Sequence, residues 1–213
     1  MATKPNREYR TMYVETRADE TEEGRKIVQG YASTFDDPYL LRKWPDGWEL
    51  WETVDPAAFD NTDMSDVIMQ YDHVGRVFAR IRNNTLTVAP DEKGLFITAD
   101  LSGTEIGRNL YEEIAGGYTD RMSFGFTVAK DKREIVESDD GKVIETRTIL
   151  EVGKLYDVSA VSLPANPDTA IYSARGIDGL IEEVEAERLH AQEVKAQRQE
   201  LADRAKTVAN GGK

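Results

Sequence analysis

The chain of 213 residues contains no cysteine. That absence excludes disulfides, thiolate zinc sites and a cysteine nucleophile together, and it fits a reducing compartment. Histidine is nearly absent as well, with two in the whole chain. No apolar run approaches the roughly 20 residues of a membrane-spanning helix. The polar start, Met1 to Arg10, has no signal-peptide core, so the chain reads as soluble and intracellular. Positive charge is in short supply: 27 Lys and Arg face 40 Asp and Glu, for a formal net charge of -13. No Lys/Arg cluster builds a basic face, which argues against DNA, RNA and anionic membrane as direct partners. A basic protein partner is compatible with the charge. There is no phosphate-binding glycine loop, dinucleotide fingerprint or EF-hand spacing. The expectation is therefore no cofactor and no metal, with a carboxylate-only Mg²⁺ or Ca²⁺ site left open by so acidic a chain. His73 with Asp72 would need further ligands, and no second histidine lies in the body of the chain to supply one.

What is present divides in two. The length suits one domain with an appendage. Apolar residues make up 39% and charged residues 31%, a balance that fits a compact body joined to something solvated. Alternating or short apolar segments predict strands at Arg10–Thr16, Lys26–Ser33, Val67–Tyr71, Val77–Ile81, Thr85–Val88, Leu95–Leu101, Arg121–Val128 and Leu155–Ser162. Asp140-Gly141, between two β-branched runs, predicts a hairpin. Pro164 and Pro167 stop the last strand. One helix interrupts, with Thr104 as N-cap, Ile106, Leu110 and Ile114 on one face, and Gly116-Gly117 as its end. The fold class is therefore α+β, mainly β, of barrel or sandwich type.

From about Ile177, Glu, Ala, Gln, Arg and Lys dominate, and Leu180, Val184, Ala191, Val194, Leu201 and Ala205 form a thin stripe near heptad spacing. This predicts a long, charged helix, with residues 1–175 as the body and 176–213 as the tail. A weak coiled coil, a partner-binding arm, a removable tail and a solvated helix all fit that pattern. Asp36 to Trp51 holds all three tryptophans with Pro38, Pro45 and Gly47. It reads as a loop whose tryptophans either line a groove or cap the core.

Histidine is the natural base near neutral pH. His190 lies in the charged tail. His73 ends an apolar strand and precedes Gly75, a usual place for a functional side chain, although a lone histidine there is more often structural. Among hydroxyl nucleophiles Ser123 is best placed, in Met122-Ser-Phe-Gly-Phe126. Met122 and Phe124 point to the opposite face of the strand, and Gly125 shares the serine's face, leaving room for a substrate backbone. A serine needs a base to take its proton. Spacing alone sets Ser123 only slightly above an ordinary strand serine, and Ser33, Ser159 and Ser162 are alternatives. Asp157 stands mid-strand, where an unpaired charge is expensive. Its partner is either a histidine it orients or an arginine; Asp72, Asp120 and Glu151 are lesser candidates.

A strand ending at His73, then Arg121-Met-Ser-Phe-Gly-Phe126, then Leu155-Tyr-Asp-Val-Ser-Ala-Val-Ser-Leu-Pro-Ala-Asn-Pro167, together resemble the prohead (capsid maturation) serine protease family of tailed phages. Gly30-Tyr-Ala-Ser-Thr-Phe35 and Asp55-Pro-Ala-Ala-Phe-Asp60 add to a resemblance running from about Tyr13 to Ser173. It implies a herpesvirus-protease-like β-barrel flanked by helices. It implies a serine endopeptidase inside the assembling procapsid, in the host cytoplasm, that cuts the scaffold domain from the major capsid protein and often cuts itself. Carried over by position, His73 is the base, Ser123 the nucleophile and Asp157 the acidic member. A homodimer follows by analogy with the herpesvirus enzymes. This chain departs from the pattern in having Asp72 before His73 rather than an Asp after it, and in its enlarged tryptophan-rich stretch. Three other readings stand beside this one: a non-enzymatic scaffold or capsid-associated protein, a hydrolase of small esters or amides, and a metal-dependent hydrolase.

Overall fold

The computed structural model describes residues 7–12, 17–22, 24–139, 141–161 and 176–210. The chain divides into two compact units, Met1–Gly176 and Ile177–Lys213. The second holds one helix, α2 (Asp178–Asn210), with ion pairs one turn apart, such as Glu200 with Arg204 at 3.0 Å.

The first unit is mainly β. Its strands are β1 (Glu8–Met12), β2 (Arg17–Glu20), β3 (Lys26–Thr34), β4 (Tyr39–Lys43), β5 (Trp48–Val54), β6 (Ile68–Tyr71), β7 (Val74–Arg80), β8 (Leu86–Pro90), β9 (Gly94–Asp100), β10 (Arg121–Glu137) and β11 (Val143–Val161), with α1 (Glu105–Ala115) between β9 and β10. They form two sheets. The smaller runs β2-β3-β9-β8, all antiparallel. The larger runs β1-β10-β11-β5-β4, with β6 and β7 branching from β11. Side chains from both sheets and α1 share one core, including Val28, Ile97, Leu110, Met69, Phe124 and Leu155.

The described strands close no barrel, against the sequence expectation. The reason lies in β11. One edge takes β5 in parallel along Val143–Ile149 and then β6 in parallel along Asp157–Ala160. The sheet branches there instead of curling back on itself. The other edge of β11 pairs with β10 along nearly its whole length, through register shifts between Gly125 and Asp131. Such bulges bend a strand and reset its inward-outward alternation.

Local chemistry explains the shorter elements. Thr104 Oγ1 accepts from Gly107 N and caps α1, while Gly117 leaves the helix with φ of 72°. Gly141 turns the β10–β11 hairpin at φ 81°, and Asp140 lies outside the described residues. The tryptophan-rich stretch is not a loop. β4 and β5 pair as a hairpin, closed by Trp44 N donating to Trp48 O at 2.8 Å. Trp44 and Trp48 are 4% and 7% exposed, so they pack inside rather than line a groove.

β1 is held on one face by buried charge. Arg10 donates to Glu52 Oε1 at 2.5 Å and Oε2 at 2.9 Å, and to Glu8 Oε2 at 2.5 Å. Arg147 Nη1 donates to Glu8 and Glu52, each at 2.9 Å. Two cations and two anions alternate, which is the arrangement that makes buried ions tolerable.

Candidate active site

His73 sits at the tip of the β6–β7 hairpin. Tyr71 pairs with Val74, leaving only Asp72 and His73 to turn the chain. Both have positive φ, 49° and 60°. A two-residue type I′ turn requires that, and Asp and His are among the side chains that tolerate it best. Asp72 N donates to Ala160 O at 3.0 Å, tying the turn to β11. At the hairpin's other end Arg80 Nε donates to Asp66 Oδ1 at 2.6 Å.

Ser123 and Asp157 come from the strands beside it. On β10 and β11, Ser123 stands opposite Ser159 and Gly125 opposite Asp157. Asp157 in turn stands opposite Ile68 of β6. The three strands thus bring the hairpin tip over the β10–β11 ladder. His73 Nε2 lies 2.5 Å from Ser123 Oγ, and Nδ1 lies 2.5 Å from Asp157 Oδ1. Asp157 is fully buried. It also accepts from Ser159 Oγ at 2.9 Å and from the Arg7 guanidinium. The two partners weighed for it in the sequence, a histidine and an arginine, are both present.

Chemically, this line can move a proton. An imidazole protonated at Nδ1 and bonded to a carboxylate leaves Nε2 free to accept from the serine hydroxyl. The carboxylate then stabilises the imidazolium that forms.

The remaining candidates fall elsewhere. Ser159 serves the aspartate. Ser33 Oγ donates to Thr34 O at 3.3 Å on β3, and Ser162 lies outside the described residues. Asp120 pairs with Arg121 at 3.6 Å, Glu151 stands opposite Lys130, and His190 is exposed on α2. Gly125 departs from expectation. A Cβ there would lie 2.5 Å from Asp157 Oδ2 and 2.8 Å from Tyr9 Cε1. The space left by the missing side chain is taken by the aspartate and Tyr9. Among the described residues no three His, Asp or Glu side chains are grouped as metal ligands would be.

Sequence reasoning missed Arg7 and Tyr9. The Tyr9 and His73 rings lie 4.4 Å apart, and the Arg7 guanidinium lies over the Tyr156 ring at 4.4 Å. Tyr9 lies in β1 and Arg7 just before it, but the predicted strand began only at Arg10.

A protein family described as caudovirus prohead serine protease matches residues 12–182. The solved structure of the bacteriophage T4 capsid assembly protease, gp21, is similar at 10% sequence identity and a TM-score of 0.42, over 75% of this chain and 99% of that one. No curated protein matches.

Proposed function

The chain belongs to the caudovirus prohead serine protease family, and we propose that it is a serine endopeptidase working through Ser123, His73 and Asp157. One observation carries the assignment: an unbroken hydrogen-bonded line from Asp157 through both nitrogens of His73 to Ser123 Oγ. In the proposed reaction His73 Nε2 takes the Ser123 proton as Oγ bonds to the scissile carbonyl carbon. The imidazolium then gives that proton to the leaving amine as the C–N bond breaks. Water, deprotonated by His73, releases the acyl group and restores the serine. Asp157 holds the tautomer throughout.

The family's description as a prohead protease supports a substrate in head assembly. We read the protein as the enzyme that removes the scaffold domain from the major capsid protein, and that also cuts itself, inside the procapsid in the host cytoplasm. Residues 1–175 would be its protease domain, herpesvirus-protease-like in fold and able to pair as a homodimer. Residues 176–213 would be a helical tail that packs with scaffold helices or is removed by self-cleavage. Coexpression with the capsid protein, followed by intact mass measurement, tests the reading. The wild type should shorten the capsid protein, and Ser123→Ala should leave it whole. Equal shortening by both would overturn the assignment.

A further inference from the structure

Ser123 is completely buried. A peptide bond cannot reach its Oγ while every neighbour stays in place, so something must leave. The arrangement identifies what leaves. β1 runs antiparallel to β10, with Thr11 opposite Ser123 and Tyr9 opposite Gly125. It touches every member of the proposed relay. Arg7, just before it, donates to Asp157, the Tyr9 ring packs on His73, and the Arg10 carbonyl oxygen accepts from Ser123 Oγ at 2.8 Å. That last group is the kind a peptidase attacks: the carbonyl of an extended backbone, beside the serine.

Resting on the proposed function above, we infer that the edge of β10 from Met122 to Phe126 receives the peptide substrate as an added antiparallel strand, and that β1 is its resident occupant and must be displaced. β-Strand addition of this kind takes its affinity from main-chain hydrogen bonds and its selectivity from alternate side chains. β1 suits the role of a detachable strand in three ways. It ends the sheet and pairs only with β10 among the described strands. All but its last residue precedes the matched family region, which begins at residue 12. Its departure also keeps the buried Glu–Arg cluster balanced. Glu8 and Arg10 leave as one matched pair, and Glu52 and Arg147 stay behind, 2.9 Å apart, as another. Within that cluster neither side is left with the uncompensated buried charge that makes such separations costly, and Asp157, which gives up Arg7, keeps His73 and Ser159.

Met12 and Met122 stand opposite each other in this pairing. Facing positions of antiparallel strands lie within disulfide reach, and the chain has no other cysteine. In Met12→Cys/Met122→Cys, oxidation locks β1 on the edge and reduction frees it. The readout is covalent labelling of Ser123 by a fluorophosphonate, located by peptide mass. The oxidised form should label at least about tenfold more slowly than the reduced form, because the rate scales with the open fraction. A second variant, Arg7→Ala/Tyr9→Ala, keeps the buried ion pairs and should label faster than the parent. A synthetic peptide with the sequence of Arg7–Met12 should slow it again. Equal rates for the oxidised and reduced forms, no gain in the second variant, or no effect of the peptide at millimolar concentration would overturn this inference and leave the function standing. No labelling of Ser123 in any form would overturn both.

Discussion

Ser123 has one hydroxyl proton and two acceptors, His73 Nε2 at 2.5 Å and the Arg10 carbonyl oxygen at 2.8 Å. In the proposed mechanism only the first leads to chemistry, so anything that fixes the imidazole matters to the rate. Asp157→Asn keeps the volume but can donate to Nδ1, favouring the wrong tautomer. We expect kcat to fall by about three to four orders of magnitude with little change in Tm. Gly125→Ala tests the same carboxylate from the other side. Tyr9 can swing away from a new Cβ, but Asp157 is short and held by its strand. The substitution should cost about 1–3 kcal/mol of stability and at least tenfold in kcat, read by denaturant melts beside peptide turnover. That His73 and Ser123 meet was legible because two histidines leave few bases and because the resemblance carried by Arg121–Phe126 singled out this serine from its rivals. Arg7 and Tyr9 were not, because their roles come from a strand pairing between residues more than 100 positions apart.

At the scale of elements, the β6–β7 hairpin is a lever with His73 at its tip and Asp66–Arg80 at its base. The hydrogen bond from Arg80 holds the Asp66 carboxyl down to about 2, below its ordinary 3.8. A carboxyl lowered on folding binds fewer protons folded than unfolded. Its stabilisation is therefore present at neutral pH and lost as pH falls from about 4 toward 2. Asp66→Asn should remove that part of the acid loss. Thermal melts from pH 6 to pH 2 should then be flatter for the variant than for the parent; parallel curves would count against the role. Short strands, α1 with its Thr104 cap and the β10–β11 hairpin at Gly141 were legible, since each is written in local periodicity and turn residues. The full length of β10 and β11 was not. The bulges between Gly125 and Asp131 reset the alternation, so one strand of 17 residues reads as two short ones. In β4 and β5 the bulk of the tryptophans hid an alternation in which Trp48, Leu50, Glu52 and Val54 point inward.

Across the whole molecule, long-range pairing decides the architecture, and none of it is local in sequence. β11 takes β5 and β6 on one edge because of register, which composition does not encode. The same pairings gather Arg10, Glu8, Glu52 and Arg147 in the interior. Burial pushes the Glu52 carboxyl up, but Arg10 and Arg147 outweigh it and hold the group below its ordinary range. Glu52→Gln would leave Arg10 facing Glu8 alone, while Arg147 keeps Glu8 and Asp131. We expect a loss of about 3–5 kcal/mol, or a fall in Tm of roughly 6–20 °C for a chain of this size, measured by calorimetry. The central claim is that Ser123 and His73 act as one device. The processing rate of Ser123→Ala/His73→Ala, measured beside each single variant on the capsid protein substrate, tests it most directly. If the two act as a unit, each single variant loses several orders of magnitude and the double loses no more than the worse single. Losses that multiply in the double variant, or a Ser123→Ala protein that still processes its substrate, would contradict it.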